Sequence, residues 1–159
     1  MNQNFAVPAP IGTDYDYIMA QRHGRILLVA GQIAKTGHNV LHATGRCGAE
    51  VDLPTAKVSA EVAAGQVLAW ITQHLSPGES VECILRMTVY VAVADEPFDI
   101  SAVADAASAT LIAALGEVGR HPRSVIGVSR LPRNAPVLLE ASAAIKLGAK
   151  NLSVARHEN

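Results

Sequence analysis

The chain has 159 residues, half of them hydrophobic, and 13 Lys and Arg against 14 Asp and Glu give a formal net charge of −1. That length suits one domain with its own core, and a near-neutral balance without basic stretches interleaved with aromatics sets nucleic acid aside as a partner. Cys47 and Cys83 are too few and too far apart for a disulfide framework, and residues 1–10 lack the basic and apolar regions of a signal peptide. A cytoplasmic protein with reduced thiols is expected. The longest apolar stretches, Ile26 to Ala30 and Thr88 to Ala94, fall short of the about 20 residues that a membrane-crossing helix needs, so no membrane partner is expected.

Tyr17 to Arg22 and Arg25 to Gly31 have the composition of two strands closed into a hairpin by His23-Gly24. From Lys35 to Asp52 the apolar pattern fades while Gly37, Gly45 and Gly48 interrupt it, which predicts a loop with one short edge strand around Val40 to Thr44. Asp52-Leu53-Pro54 supplies a cap with proline in the first turn, and Ala56, Ala60, Ala63, Val67, Trp70 and Ile71 keep helical spacing, so a helix is expected over 54–75. Ser76-Pro77-Gly78 stops it.

Cys83, Leu85, Met87, Val89, Val91 and Val93 then alternate with Glu82, Ile84, Arg86, Thr88 and Tyr90, the period of a long central strand. One of its faces is wholly apolar, and Cys83 is expected to point into the core from it. Asp99 or Ser101 is a candidate cap for a second helix over 101–115, ended by Gly116. Ser124 to Leu131 and Val137 to Ile145 are strands whose connection, Pro132 to Pro136, is short enough for a hairpin. A single domain over 1–146 and a polar tail over 147–159 follow.

Strands with two interspersed helices make an α+β fold, one mixed sheet with both helices on one face. In the last strand Val137, Leu139, Ala141, Ala143 and Ile145 point one way, while Leu138, Glu140, Ser142 and Ala144 point the other and are far from fully polar. Such a composition predicts that the helix-free face is covered by another subunit.

The chemistry concentrates in Gly119-Arg120-His121-Pro122-Arg123-Ser124 and the strand that carries Glu140. A guanidinium stays ionised and presents a planar fork of donors that matches a carboxylate, so Arg123 at the mouth of an apolar strand is a candidate anion clamp. The alternative from spacing alone is an ion pair between Arg123 and Glu140. The imidazole of His121 can both accept and donate a proton and is a candidate proton carrier. His38, His42 and Cys47 lie in a glycine-rich, non-helical segment, and no Cys-x-x-Cys or His-Glu-x-x-His occurs, so no metal is expected.

Ala30-Gly31-Gln32, Met87 to Val91, Pro122-Arg123-Ser124, Leu131-Pro132 and Val137 to Ala141, with Tyr17 ahead of the first strand, resemble the RidA family of imine deaminases, also called YjgF or endoribonuclease L-PSP. The resemblance spans Tyr17 to Ile145, and Gly-Arg-His-x-Arg-Ser and Gly-Arg-Cys-Gly place it with a divergent branch. It implies a chorismate-mutase-like α+β fold assembled as a homotrimer with clefts between subunits. It also implies hydrolysis of imines and enamines such as 2-aminoacrylate to 2-keto acids and ammonia, without a cofactor. On the same resemblance Arg123 binds a carboxylate-bearing metabolite, and Tyr17, Gly31, His121 and Ser124 line its site.

Departures from the family pattern are specific. Its water-activating Glu falls on Leu138, its Ser before Gly31 is Ala30, and its Cys after the Arg is Val125. Leucine neither accepts a proton nor orients water, which removes help worth about 10² to 10⁴ in rate from that position. Glu140, two residues on, shares a strand face with Leu138 and is the candidate substitute base. A trimeric binder without catalysis is the alternative, and a ribonuclease is disfavoured by the charge balance.

Overall fold

The computed structural model describes residues 5–148; the polar tail expected over 147–159 therefore lies, beyond its first two residues, outside the described part. In chain order the elements are β1 (Ala20–His23), β2 (Ile26–Ile33), β3 (Lys35–Gly37), β4 (Val40–Leu41), α1 (Leu53–Gln73), β5 (Ser80–Ala92), α2 (Ile100–Leu115), β6 (Arg123–Val128) and β7 (Val137–Lys146). Short 3₁₀ turns, Gly116–Gly119 and Pro132–Asn134, precede β6 and β7.

Five strands form one mixed sheet in the order β1-β2-β7-β5-β6, and β3 and β4 form a separate small hairpin. The first hairpin forms as expected, with Gly24 at φ 57° in its turn, a conformation that costs glycine nothing sterically. The expected β6–β7 hairpin does not form. β6 lies parallel to β5 at the sheet edge, and β7 is antiparallel to both β5 and β2. A parallel pair needs a crossover rather than a tight turn, and α2 supplies it. The segment with Pro132 then carries the chain past the end of β5, with Arg133 at φ 57° and Asn134 at φ 56°.

Both helices begin where local chemistry places them. Asp52 accepts from the Thr55 backbone N–H at 2.9 Å and Asp99 from that of Ala102 at 3.0 Å, each cap worth about 1 kcal/mol. Ala56, Ala60, Ala63 and Ala64 on α1 are fully buried, and their small side chains let this helix come close to the sheet and to α2. Leu27, Met87, Val89, Val91, Leu139 and Ile145 meet them from the sheet, each fully buried and each worth about 1.5–3 kcal/mol in transfer from water. Ile100–Gly119 is long and apolar enough to cross a membrane by length and composition, although none of its uninterrupted apolar runs is. In this fold its Val103, Ala104, Ala107, Leu111 and Ala114 are fully buried, as in a core helix.

The face of β5 differs from the expected one. Irregularities between Val81 and Cys83 and between Ile84 and Arg86 shift the strand's parity, so Val81 and Ile84 are buried while Leu85 is exposed. Cys83 is consequently only half-buried rather than a core residue. Cys47, by contrast, is fully enclosed where its loop bridges to the end of β5, and burial pushes its thiol from 9.0 up to about 11. Under native conditions a thiol reagent should therefore modify Cys83 and spare Cys47 until the chain unfolds. A folded pKa above the unfolded value means that Cys47's contribution to stability is complete below pH 9.0 and is lost as pH rises towards about 11, which denaturant titrations across that window would measure.

Candidate functional site

The residues singled out from the sequence do not converge in one chain; they fall into three hollows. The first is a cavity of about 450 Å³ whose walls include Tyr15, Tyr17, Met19, Gly31 and Leu138. Tyr17 is half-exposed there, and Gly31, in the irregularity of β2 between Val29 and Gln32, lies beside Leu138 of β7. A Cβ on Gly31 would lie 2.7 Å from Leu138 Cδ2, so the space that glycine leaves open is covered by the leucine. The resemblance implied a ligand against this glycine. In this chain Leu138 lies on it.

Two cations missed in the sequence reach this cavity: Lys35, at the start of β3, and Arg133, in the 3₁₀ turn before β7. Arg133 donates to the Asn39 carbonyl at 2.8 Å, tying it to the turn of the β3–β4 hairpin. The Lys35 side chain reaches the Gly12 carbonyl, and the residue is 9% exposed. Burial lowers the Lys35 pKa, the nearby Arg133 lowers it further, and Asp14 partly offsets both. Asp14 itself pairs with His38 at 3.0 Å. Composition had marked 35–52 as irregular, and nothing in the spacing pointed to a lysine folded under residues 12–17.

The second hollow, about 250 Å³, holds Arg123, His121, Ser108, Ile112 and Arg120. Arg123 pairs in register with Met87 and therefore points to the helix side of the sheet. Its guanidinium donates to Ser108 Oγ at 2.8 Å and to Asp105 Oδ1 at 2.6 Å, both on α2. His121 Nδ1 is 2.6 Å from the Gly119 carbonyl, which can only accept, so that nitrogen carries the hydrogen. The other nitrogen, Nε2, is 3.2 Å from Ser108 Oγ. In the neutral ring Nε2 is then the acceptor and Ser108 the donor. Arg123, Ser108, His121 and Gly119 thus form a directed hydrogen-bond chain that leaves a basic nitrogen beside a guanidinium.

Glu140 lies in the third hollow, about 300 Å³, with Leu28, Arg86, Thr88 and Ser142 on the helix-free face. It pairs in register with Thr88, one residue from the Met87 row of Arg123, so the two side chains point to opposite sides of the sheet. The Arg123–Glu140 ion pair that spacing allowed is therefore absent, and Asp105 is the carboxylate on Arg123. Glu140 accepts from the Tyr90 hydroxyl at 3.2 Å. Its negative charge, burial and this bond together raise the Tyr90 pKa. Ser124 also sits on the helix-free face, accepting from Arg86 at 2.9 Å, and so is turned away from Arg123.

No histidine, cysteine and carboxylate cluster of metal-holding geometry occurs among the described residues. His38 and His42 diverge, the first to Asp14 and the second to Ser59 Oγ at 2.9 Å.

A five-stranded mixed sheet with two helices on one side, a parallel edge strand carrying Arg123 and a cavity over Gly31 give this chain the fold of the RidA (YjgF, endoribonuclease L-PSP) proteins, as its motifs led one to expect. It is similar to protein TCP17 of Trypanosoma cruzi, 29% identical over 136 residues that cover 85% of this chain and 84% of that one. Among solved structures it is similar to the protein Atu1372 of Agrobacterium tumefaciens, of unknown function, with a TM-score of 0.79 at 27% identity over 90% of this chain and 87% of that one. TdcF of E. coli, solved with bound serine, matches in fold with a TM-score of 0.59 at 21% identity over 88% of this chain and 95% of that one. No family model matches the sequence.

Proposed function

We propose that the protein binds small carboxylates in clefts between copies of itself, assembled as a trimer, and hydrolyses imine or enamine acids there to 2-keto acids and ammonia. The observation that supports this reading is the sheet order: β7 and β5 separate the Gly31 strand from β6, so Arg123 and the Tyr17 cavity lie apart within one chain, as a site completed by a second copy requires. Exposed Leu28, Leu85 and Ile126 give the sheet the apolar surface that such an assembly needs.

The chemistry asks little of the protein beyond positioning. Arg123 would hold the substrate carboxylate, which orients the imine carbon towards a water and replaces a bimolecular encounter. His121 Nε2, which accepts from Ser108, would take a proton through that hydroxyl as the water adds to the C=N carbon. The nitrogen is protonated, and collapse of the adduct expels ammonia and leaves the keto acid. Tyr17 supplies a hydroxyl at the opposite wall. Glu140, the base suggested by strand parity, is engaged with Tyr90 and faces away from Arg123 of its own chain, so it would act only on a substrate held by a neighbouring copy. TdcF with its bound serine supports a small amino-acid-like ligand for this fold.

Asp105 bears on affinity. Its carboxylate is 71% exposed yet sits on Arg123, the position a ligand carboxylate would take. Asp105→Asn should tighten binding of short 2-keto acids several-fold, and titration calorimetry would measure it.

A second reading, a binder without catalysis, is favoured by the Leu138 side chain lying over Gly31. Incubation with imines generated in situ by an amino-acid oxidase separates the two. Faster keto-acid formation supports an enzyme; no acceleration across several side chains, with saturable carboxylate binding intact, supports the binder.

A further inference from the structure

We propose that the cavity over Gly31 contains an anion subsite built by Lys35 and Arg133, which selects ligands carrying a second, distal carboxylate. The proposal rests on the carboxylate-binding reading above and extends it to the class of ligand.

Lys35 carries the argument. Its ammonium is part of a residue only 9% exposed, and the one acceptor it reaches among the described residues is the neutral Gly12 carbonyl. No carboxylate of the described residues lies within 4.0 Å of it; Asp14 acts on it only from farther off and pairs with His38 at the exposed rim of the cavity. A buried cation with no carboxylate in contact is costly, whereas one beside a cavity is offset when an anion enters. An ammonium offers three donors, so this one has capacity left for a ligand.

Arg133 supplies the second charge, and it is held there at a backbone cost. Its φ of 57° lies in the left-handed region that non-glycine residues seldom adopt, and its guanidinium is anchored on Asn39. The β3–β4 hairpin thereby gathers both cations at one side of the cavity, with Lys35 on its first strand and the Arg133 guanidinium anchored to its turn from the segment before β7. Among the described residues Asp14 is the one carboxylate on the cavity wall, 68% exposed and paired with His38, while the wall over Gly31 is the apolar Leu138. The Leu138 and Met19 walls suit a short aliphatic chain leading to the distal acid.

The test compares 2-oxoglutarate with 2-oxopentanoate, equal in chain length and differing by the distal carboxylate, by calorimetry on the full chain. The diacid should bind at least tenfold more tightly. Lys35→Met and Arg133→Gln, which keep side-chain bulk, should each remove that preference while leaving 2-oxopentanoate affinity within about twofold; circular dichroism and melting curves check that each variant is folded. A preference that survives both substitutions overturns the proposal, as does equal binding of the two acids or binding of neither. Arg123→Ala distinguishes this from failure of the underlying reading. If that variant leaves both affinities unchanged while Lys35→Met abolishes the preference, the subsite stands and the Arg123 clamp does not.

Discussion

Arg123→Ala is expected to remove measurable binding of small carboxylates and, with it, any imine turnover. Truncating one partner of a desolvated charge pair typically costs about 2 to 5 kcal/mol, or roughly 30- to 4000-fold in Kd. The guanidinium side chain is 24% exposed and already aligned by Ser108 and Asp105, so little conformational freedom is left to lose on binding. Stability should change far less. The Arg123–Asp105 pair has a largely exposed carboxylate, and pairs of that kind contribute about 0 to 1 kcal/mol. Calorimetry alongside chemical denaturation separates the two effects. Arg123→Lys retains the charge but not the planar fork and should recover only part of the affinity. Carboxylate affinity unchanged in the alanine variant would remove Arg123 from the site.

Gly119→Ala should be the most damaging single change in the region. A Cβ there would meet Leu111 O at 2.5 Å, Leu111 C at 2.9 Å and Ile112 Cα at 3.0 Å. All three are backbone atoms of α2, so no rotamer can move out of the way; the end of the helix or the 3₁₀ turn must shift. Overpacking of this kind costs about 1–3 kcal/mol and sometimes more. The displacement would also move the Gly119 carbonyl that holds the His121 tautomer, so ligand affinity and stability should fall together. Gly116→Ala is the contrast. Open space surrounds that position, and only its φ of 69° resists a side chain, which should cost less and leave the His121 contact in place. Urea midpoints of the two variants would order them, and equal midpoints would contradict the steric account.

The parts of this protein legible in the sequence are those governed by near neighbours. Asp52 and Asp99 cap the helices because a cap acts over three residues, and the alternation along β7 matches its burial because strand parity is local. The motifs that point to the fold were equally plain, since residues such as Arg123-Ser124 and Leu131-Pro132 are contiguous. What failed was pairing. The proline-containing connection looked like a hairpin because its length permits one, and nothing local records that β5 sits between the two strands. The shifted parity of β5 was hidden for a similar reason: its bulges arise from fitting β7.

The candidate site divides in the same way. Arg123, His121, Tyr17 and Gly31 could be named from the chain, but not the faces to which they belong. One step of register, Met87 against Thr88, separates Arg123 from Glu140 by the thickness of the sheet. Lys35 and Arg133 carried no signal at all; they are 98 positions apart and meet only because the β3–β4 hairpin folds against the last turn. Helix positions, strand periods and the chemical types available follow from interactions within a few residues and so can be read along the chain. Which charges share a cavity depends on strand order and register, and these are selected by burial of the whole apolar surface at once.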